Sequence, residues 1–211
     1  MRRFRYTLMA VCLVLLFLGV TDLILWFNNQ VPQPVTIDTL EQTGAPTEWL
    51  EVTDGYQDLD RAISTSGSVE MEALLVPLVR HPDQEEIRVM VETRNPHQLQ
   101  LFQDYHFFTD TLPEKREFRR KHGADFKGQR KITGMLVAGM IARGNQQKLI
   151  KLAKETDLNI ADNVIFLSEG KEPDKWRGVF FTLVGLLGLF KVFTHKKAVA
   201  PAPKKTDHSP E

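Results

Sequence analysis

An apolar run near the N-terminus constrains this chain more than any other feature. Residues 7–27 form the run, and Asp22 is the one charged residue within it. A helix that rises about 1.5 Å per residue makes this run about 31 Å long, close to the hydrocarbon thickness of a bilayer, about 30 Å. A cleaved signal peptide would have a shorter apolar core and a cleavage site flanked by small residues, which residues 23–29 do not offer. We therefore expect an uncleaved transmembrane helix over residues 7–27.

A second apolar segment occupies residues 176–193 and is interrupted by Lys191. Trp176 and Arg177 begin it, as interfacial anchors often do, and Lys191 near its end can extend its side chain to the lipid headgroups. Because the uninterrupted part is short, a buried helix of a water-soluble domain is the alternative. We expect a second transmembrane helix, with Trp26, Trp176, Arg177 and Lys191 as membrane-interface anchors.

The basic residues beside the two segments predict the topology. Lysine and arginine near membrane segments are retained on the cytoplasmic side, and they precede the first segment and follow the second. Residues 1–6 and a disordered basic tail, residues 194–211, are therefore expected in the cytoplasm, and residues 28–175 on the other side of the membrane. The predicted location is a bacterial inner membrane, with an organelle membrane as the alternative.

Asp22 can be interpreted in two ways. Ionisable residues inside a membrane span often belong to ion or proton pathways. Alternatively, the first helix leaves the hydrocarbon near Thr21, and the residues up to Trp26 lie in the interface, where tryptophan is common. We favour the second interpretation. In the predicted topology Lys191 lies near the opposite membrane face and cannot be a partner of Asp22.

Residues 28–175 combine strand and helix patterns. Alternating and apolar runs predict strands over residues 35–40, 49–53, 56–65, 69–80, 87–94, 128–141 and 163–167. Asp54-Gly55 is expected to form a hairpin turn, and Pro77 indicates an edge strand or a bulge. Helical or mixed periodicity covers residues 95–122, and Asn145 is expected to cap a helix that ends near Thr156. The expected fold class is α+β: a mainly antiparallel, β-rich extramembrane domain flanked by two transmembrane helices.

Charge is balanced over the whole chain but uneven within the domain. Twenty-seven basic residues match twenty-seven acidic ones, so nucleic acid is not an expected partner. Residues 31–86 hold twelve acidic and two basic residues, whereas residues 115–131 hold eight basic and two acidic ones. The basic run is either a patch that binds lipid headgroups or an acidic partner, or a solvated surface that compensates the acidic half. The patch consists of Lys115, Arg116, Arg119, Arg120, Lys121, Lys127, Arg130 and Lys131.

Candidate catalytic groups are sparse. Asp58 with Asp60, and Glu70 with Glu72, would each place two carboxylates on one strand face, where they could bind a cation or divide acid and base roles. The wet face of a sheet is the alternative. The histidines show no metal-ligand spacing, and Cys12 alone cannot form a disulfide or a cysteine cluster. Nucleophile-elbow, phosphate-loop and dinucleotide motifs are also missing. We therefore assign no catalytic residue, metal or cofactor.

The sequence predicts an interaction protein rather than an enzyme. We expect a two-pass membrane protein whose extracytoplasmic domain binds another membrane or envelope component, as an assembly, scaffold or accessory factor. The layout resembles two-anchor membrane proteins with a β-rich domain beside the bilayer, a class that includes cytochrome oxidase assembly factors, and this likeness implies no site residue. The alternatives are a hydrolase-like membrane-tethered enzyme with convergent Asp, Glu or His residues, and a ligand or lipid sensor. The bilayer and a membrane or envelope protein are the expected partners, and the oligomeric state stays open.

Overall fold

The computed structural model describes residues 2–64, 71–137 and 158–194, with side chains from residue 6 onward in the first range. The predicted helix that begins at Asn145, the end of the strand over residues 128–141, Glu70 and nearly all of the tail lie outside the described residues. The chain divides into two compact units. Met1–Phe27 with Asp174–Glu211 form the first, called here the helical unit, and Asn28–Pro173 form the second, called here the domain.

Two helices make up the described part of the helical unit. They are α1 (Arg2–Asn28) and α5 (Lys175–Thr194), and both are long and apolar enough to cross a membrane, by length and composition. Only 11% of the apolar window of α1 and 17% of that of α5 are buried, whereas the core helix of a water-soluble domain is mostly buried. The two segments predicted from the sequence are therefore helical and mostly exposed.

The domain is α+β, as predicted. Its strands are β1 (Gln33–Thr36), β2 (Trp49–Gln57), β3 (Ile63–Ser64), β4 (Leu74–Val79), β5 (Ile87–Thr93), β6 (Gln129–Leu136) and β7 (Ile160–Glu169). Its helices are α2 (Ile37–Thr43), a 3₁₀ helix (Leu59–Arg61), α3 (Pro96–Phe107) and α4 (Leu112–Lys127). The strands form one sheet in the order β1-β2-β6-β7-β5-β4-β3, and a further pairing of β2 with β4 closes five of them into a barrel.

The sheet is mixed, which corrects part of the antiparallel expectation. β1 pairs with β2 and β5 pairs with β7 in parallel, while the other described pairs are antiparallel. A parallel pair needs a crossover connection, and α2 supplies the connection from β1 to β2. The sequence predicted mainly antiparallel pairing and so missed both parallel pairs.

The strand predicted over residues 35–40 is wrong in its second half. β1 ends at Thr36, and the Thr36 side chain accepts a hydrogen bond from Thr39 N at 3.2 Å, which caps α2. Ile37 and Leu40 are both buried, at the spacing of three that puts them on one helix face. The cap therefore determines the local structure here, although the apolar alternation fits a strand.

The hairpin predicted at Asp54-Gly55 is also wrong, because β2 continues through it. Asp54 adopts a positive φ of 61°, and the register against β6 shifts between Val52 and Gly55, so the pair forms a β-bulge. A Cβ added at Gly55 would lie 2.8 Å from Leu78 Cγ. Glycine is therefore needed where β2 approaches β4 and closes the barrel.

Pro77 lies inside β4, which has neighbours on both sides. Its carbonyl accepts a hydrogen bond from Asp58 N at 2.9 Å. Because the N and O atoms of one strand residue point to the same neighbour in an antiparallel ladder, the nitrogen of Pro77 faces the turn at Asp58 rather than β5. The missing N–H therefore removes no bond between β4 and β5.

Two clusters of the core position the helices. The first takes side chains from all five barrel strands and from α2: Ile37, Leu40, Leu50, Val52, Leu78, Val89, Val91, Ile132 and Leu167. The second lies between β4 and the helices α3 and α4, and contains Leu59, Met71, Leu74, Val76, Leu101, Phe102 and Phe126. Burial of these side chains is the main force that holds α3 and α4 against the sheet.

Candidate functional site

The start of α4 is fixed by its sequence, Thr-Leu-Pro-Glu. The Thr111 side chain accepts a hydrogen bond from Glu114 N, and a Glu114 carboxylate oxygen accepts one from Thr111 N at 3.1 Å. This is a capping box. The bonds from Thr111 favour the charged carboxylate and lower the pKa of Glu114. The polypeptide just before α4 is therefore held in a defined conformation.

The inner side of α4 packs on an aromatic cluster. The Tyr105 ring lies 5.1 Å from the Phe126 ring and 6.0 Å from the Phe118 ring, centroid to centroid. The Arg119 guanidinium lies 5.5 Å from the Tyr105 ring centroid and forms an ion pair with Asp60. One predicted patch residue is therefore part of the contact between α4 and the 3₁₀ helix.

Three further members of the predicted basic patch are paired with carboxylates. Lys127 Nζ lies 3.8 Å from Asp60 Oδ2 and 4.0 Å from Asp58 Oδ2. Arg130 forms an ion pair with Glu169, and Lys131 Nζ lies 2.8 Å from Glu51 Oε1. Together with Arg119, half of the patch is thus compensated by acidic side chains, in line with the solvated-surface interpretation of the sequence.

Of the other half of the patch, three residues are exposed on α4, and Lys115 is half-buried beside the aromatic cluster. Lys115 Nζ lies 5.7 Å from the Tyr105 ring centroid, and Arg116 Nε donates to the Leu112 carbonyl at 3.4 Å. The Arg120 side chain is 83% exposed, with Glu117 at 3.9 Å. Lys121 is exposed as well. These four residues all lie on α4, and a binding role for any of the eight patch residues stays a prediction.

Three large apolar side chains are exposed where α3 meets α4. Phe107, Phe108 and Leu112 are 46%, 70% and 75% exposed, and they are called here the aromatic tip. Phe108 N donates to the Asp104 carbonyl at 3.3 Å, and Thr109 Oγ1 donates to the same oxygen at 2.7 Å. The connection between the helices is thus fixed on both sides.

The aromatic tip is not among the sites predicted from the sequence. Within α3, Phe102 is buried and Phe107 is not. The available signal was two phenylalanines at the end of one helix followed by a Leu-Pro start of the next. In a buried junction these apolar side chains would be part of the core. In this exposed junction they are accessible to the surface of a partner.

Asp58 and Asp60 do not lie on one strand face, which both predicted arrangements require, because β2 ends at Gln57 and a 3₁₀ helix follows. Asp58 is buried, accepts a hydrogen bond from Asp60 N at 3.2 Å and pairs with Arg61 Nε at 2.7 Å. Arginine and lysine side chains thus occupy the positions around these carboxylates. Within the residues that the structure describes, no group of three or more His, Cys, Asp or Glu side chains could hold a metal ion.

Two histidines approach one carboxylate on the domain surface. His122 Nδ1 lies 3.4 Å from Asp125 Oδ2, and His97 Nε2 lies 4.0 Å from Asp125 Oδ1. The His97 side chain is 64% exposed and that of Asp125 is 44% exposed. Acid–base residues of active sites are usually desolvated in a cleft, and these side chains are not.

An ion pair joins the two helices of the helical unit. Arg177 donates from Nε to Asp22 Oδ2 and from Nη2 to Asp22 Oδ1, both at 2.8 Å. The Asp22 side chain is 14% exposed. Neither sequence interpretation of Asp22 included this bidentate pair, because Arg177 was assigned only the role of an interface anchor.

Small residues let α1 and α5 approach closely. A Cβ added at Gly19 would lie 2.5 Å from Thr182 N, and one added at Gly188 would lie 2.3 Å from Cys12 Sγ. Residues further along α1 thus contact residues further back along α5, as Asp22 does with Arg177. The two helices therefore pack antiparallel, with backbone-to-backbone contact of the kind that glycine permits.

The predicted interface anchors fall into two groups. Lys175 Nζ lies 4.6 Å from the Trp26 ring centroid and 5.7 Å from that of Trp176, and Arg177 is next in sequence. These residues lie at the end of the helical unit where α1 finishes and α5 begins. Lys191 is in the last turn of α5. Their role as anchors stays a prediction.

No known protein-family model, curated protein or solved structure matches this chain. Function is therefore inferred from the contacts and exposure of its own residues.

Proposed function

We propose that the chain is a two-pass membrane protein with both termini in the cytoplasm and the domain outside, in a bacterial inner membrane. The proposal is supported by two helices of sufficient length and apolarity and by their antiparallel packing. In an antiparallel pair of spans, the N-terminus of the first and the C-terminus of the second lie on the same side of the membrane. The basic residues at the start of α1 and after α5 then lie on the side where lysine and arginine accumulate.

Thiol labelling in intact cells tests this topology. In a Cys12→Ala background, Asp83→Cys on the exposed loop between β4 and β5 is expected to react with a membrane-impermeant maleimide before lysis. Ser209→Cys in the C-terminal tail is the matched variant and is expected to react only after lysis. Protection of the first thiol, or labelling of the second in intact cells, would contradict the proposed orientation.

We further propose that the domain binds another membrane or envelope component, as an assembly, scaffold or accessory factor. The observation that supports this role most is the aromatic tip. Much of the apolar surface of its side chains stays in contact with water in this fold, so covering that surface would be favourable. The capped junction fixes the position of these side chains. Aromatic and arginine side chains are those that contribute most to binding interfaces, and Arg116 and Arg120 follow Leu112 along α4.

Photo-crosslinking identifies whether the tip is engaged. The full chain would carry p-benzoylphenylalanine at position 108 and, as the control, at position 83, both of which are exposed. Irradiation of cells is expected to give adducts from position 108 that position 83 does not give. If neither position gives an adduct, or both give the same ones, the tip is not a specific binding surface and the proposed role fails.

Affinity purification then tests the wider role. The tagged full chain in mild detergent is expected to retain a stoichiometric component that a variant without residues 28–173 loses. Recovery of the same components with and without the domain would contradict the proposed role.

A further inference from the structure

We propose that the aromatic tip docks on an anionic phospholipid bilayer. Phe107, Phe108 and Leu112 would enter the interface between headgroups and acyl chains, while Arg116 and Arg120 bind headgroup phosphates. The inference names the partner of the surface described above, and so it rests on the proposed function.

The arrangement of α4 presents apolar and cationic groups on one face. Leu112, Arg116 and Arg120 follow one another at a spacing of four, so their side chains form a stripe along the helix. Leu112 is 75% exposed and the Arg120 side chain 83% exposed. Exposed apolar residues followed by arginines are what peripheral proteins use on anionic membranes, and guanidinium groups match phosphate geometry.

The acidic residues near the tip do not cancel this stripe. Glu114 is two positions from both Leu112 and Arg116, so it lies on the opposite side of the helix, and it bonds Thr111. Glu117 lies 3.9 Å from Arg120, and the two side chains are 76% and 83% exposed. An exposed ion pair of this kind is weak, so a headgroup phosphate can replace the carboxylate. Asp110, between Phe108 and Leu112, is exposed. Because of this charged residue, we expect the aromatic tip to insert to the depth of the headgroups and not into the hydrocarbon.

The exposed area favours lipid over a protein partner. Large apolar side chains offer about 150–250 Å² each, so the exposed fractions of the tip amount to roughly 350 Å². A stable protein–protein interface buries about 800 Å² of each partner, of which about 57%, or about 450 Å², is apolar, so the tip alone supplies less than that apolar share. A bilayer interface needs no such area or shape complementarity, because the apolar groups simply leave water.

Nanodisc fluorescence of the full-length protein tests the proposal. In a Cys12→Ala background, Phe108→Cys labelled with the dye NBD would be placed in phosphatidylcholine discs with or without phosphatidylglycerol. Asp83→Cys serves as the matched labelling site. Co-elution with the disc scaffold confirms that the protein is inserted. We expect a blue-shifted emission at position 108 in the anionic discs, quenched by nitroxide lipids, and a water-like emission at position 83.

Charge variants test the role of the stripe. Arg116→Gln with Arg120→Gln is expected to reduce the quenching at position 108 at least twofold, whereas Lys121→Gln, which removes one charge about 100° around the helix from Arg120, leaves it unchanged. A water-like position 108 in anionic discs overturns the proposal. So does equal quenching without phosphatidylglycerol, which would make the arginines irrelevant.

The experiments distinguish failure of lipid docking from failure of the proposed function. A blue shift without nitroxide quenching means that protein, including a second copy of this chain, covers the tip, and this overturns lipid docking while the tip remains a binding surface. A protein adduct from position 108 in cells has the same meaning. If the tip stays in water in discs and gives no adduct in cells, both proposals fail.

Discussion

The packing of α1 on α5 can be tested with the thiol that the chain already has. In the structure, a Cβ added at Gly188 lies 3.7 Å from Cys12 Cβ. Disulfides have Cβ atoms about 3.8 Å apart on average, so Gly188→Cys places a second thiol at bonding distance. The present Cys12 Sγ position is too close to that Cβ, at 2.3 Å, and a change of rotamer turns it into the bridge.

The expected result is nearly complete cross-linking. Because both sulfurs are held by packed helices, mild oxidation with copper phenanthroline should join residues 12 and 188 in most molecules. Closing a loop of roughly 180 residues would lower the entropy of the unfolded chain by the equivalent of about 5 kcal/mol at 25 °C. After denaturation in SDS, the cross-linked protein should resist PEG-maleimide until it is reduced, which a gel shift measures.

The neighbouring residue provides the control. Leu187 is 67% exposed, and its side chain points about 100° away from position 188 around the helix. Leu187→Cys should therefore keep two free thiols under the same oxidation. A Gly188→Cys protein that stays reduced, or a Leu187→Cys protein that cross-links equally, would refute the antiparallel register described here.

Further predictions concern the stability of the domain, measured by denaturant unfolding of the detergent-solubilised chain. Gly55→Ala should cost about 1–3 kcal/mol because its Cβ would clash with a packed side chain where the barrel closes. The control is Gly123→Ala, which has open space around it and should be neutral or stabilise by up to about 1 kcal/mol. Equal effects of the two variants would contradict this barrel closure. Thr111→Ala should cost about 1 kcal/mol at pH 7. That loss should shrink as pH falls through the lowered pKa of Glu114, and a loss independent of pH would refute a bond between the Thr111 hydroxyl and the Glu114 carboxylate. Burial lowers the pKa of His106 from 6.5, and Lys115 adds to the effect, so stability should fall as pH drops from 6.5 through the lowered value, because the unfolded chain binds the proton more tightly. His106→Gln should remove that part of the slope, and an unchanged slope would refute the assignment.

The sequence was sufficient where local pattern alone decides structure. The apolar lengths of residues 7–27 and 176–193 predict both helices of the helical unit, and the apolar run at residues 87–94 predicts β5, found over Ile87–Thr93. These segments agree with the structure because period and length leave few alternatives. Membrane insertion, topology and partners remain proposals.

The sequence prediction failed where a helix cap, a β-bulge or a residue distant in sequence determines the structure. Thr36 ends a strand that alternation would have continued, and Gly55 continues one that a turn signal would have ended. The basic run from Lys115 to Lys131 looked like one patch, yet four of its eight cations meet carboxylates that are distant in sequence. Pairing of this kind depends on the tertiary fold and leaves no periodic signal in the sequence.

The ion pair between α1 and α5 has a consequence for the order of biosynthesis. Asp22 and Arg177 are 155 residues apart, so at about 5–20 residues per second the ribosome needs about 8–30 s to make the partner after the carboxylate. During that interval Asp22 has no arginine from α5 to bind, and a chain that stops early never acquires one. Formation of the pair therefore reports that both α1 and the start of α5 have been synthesised and have met.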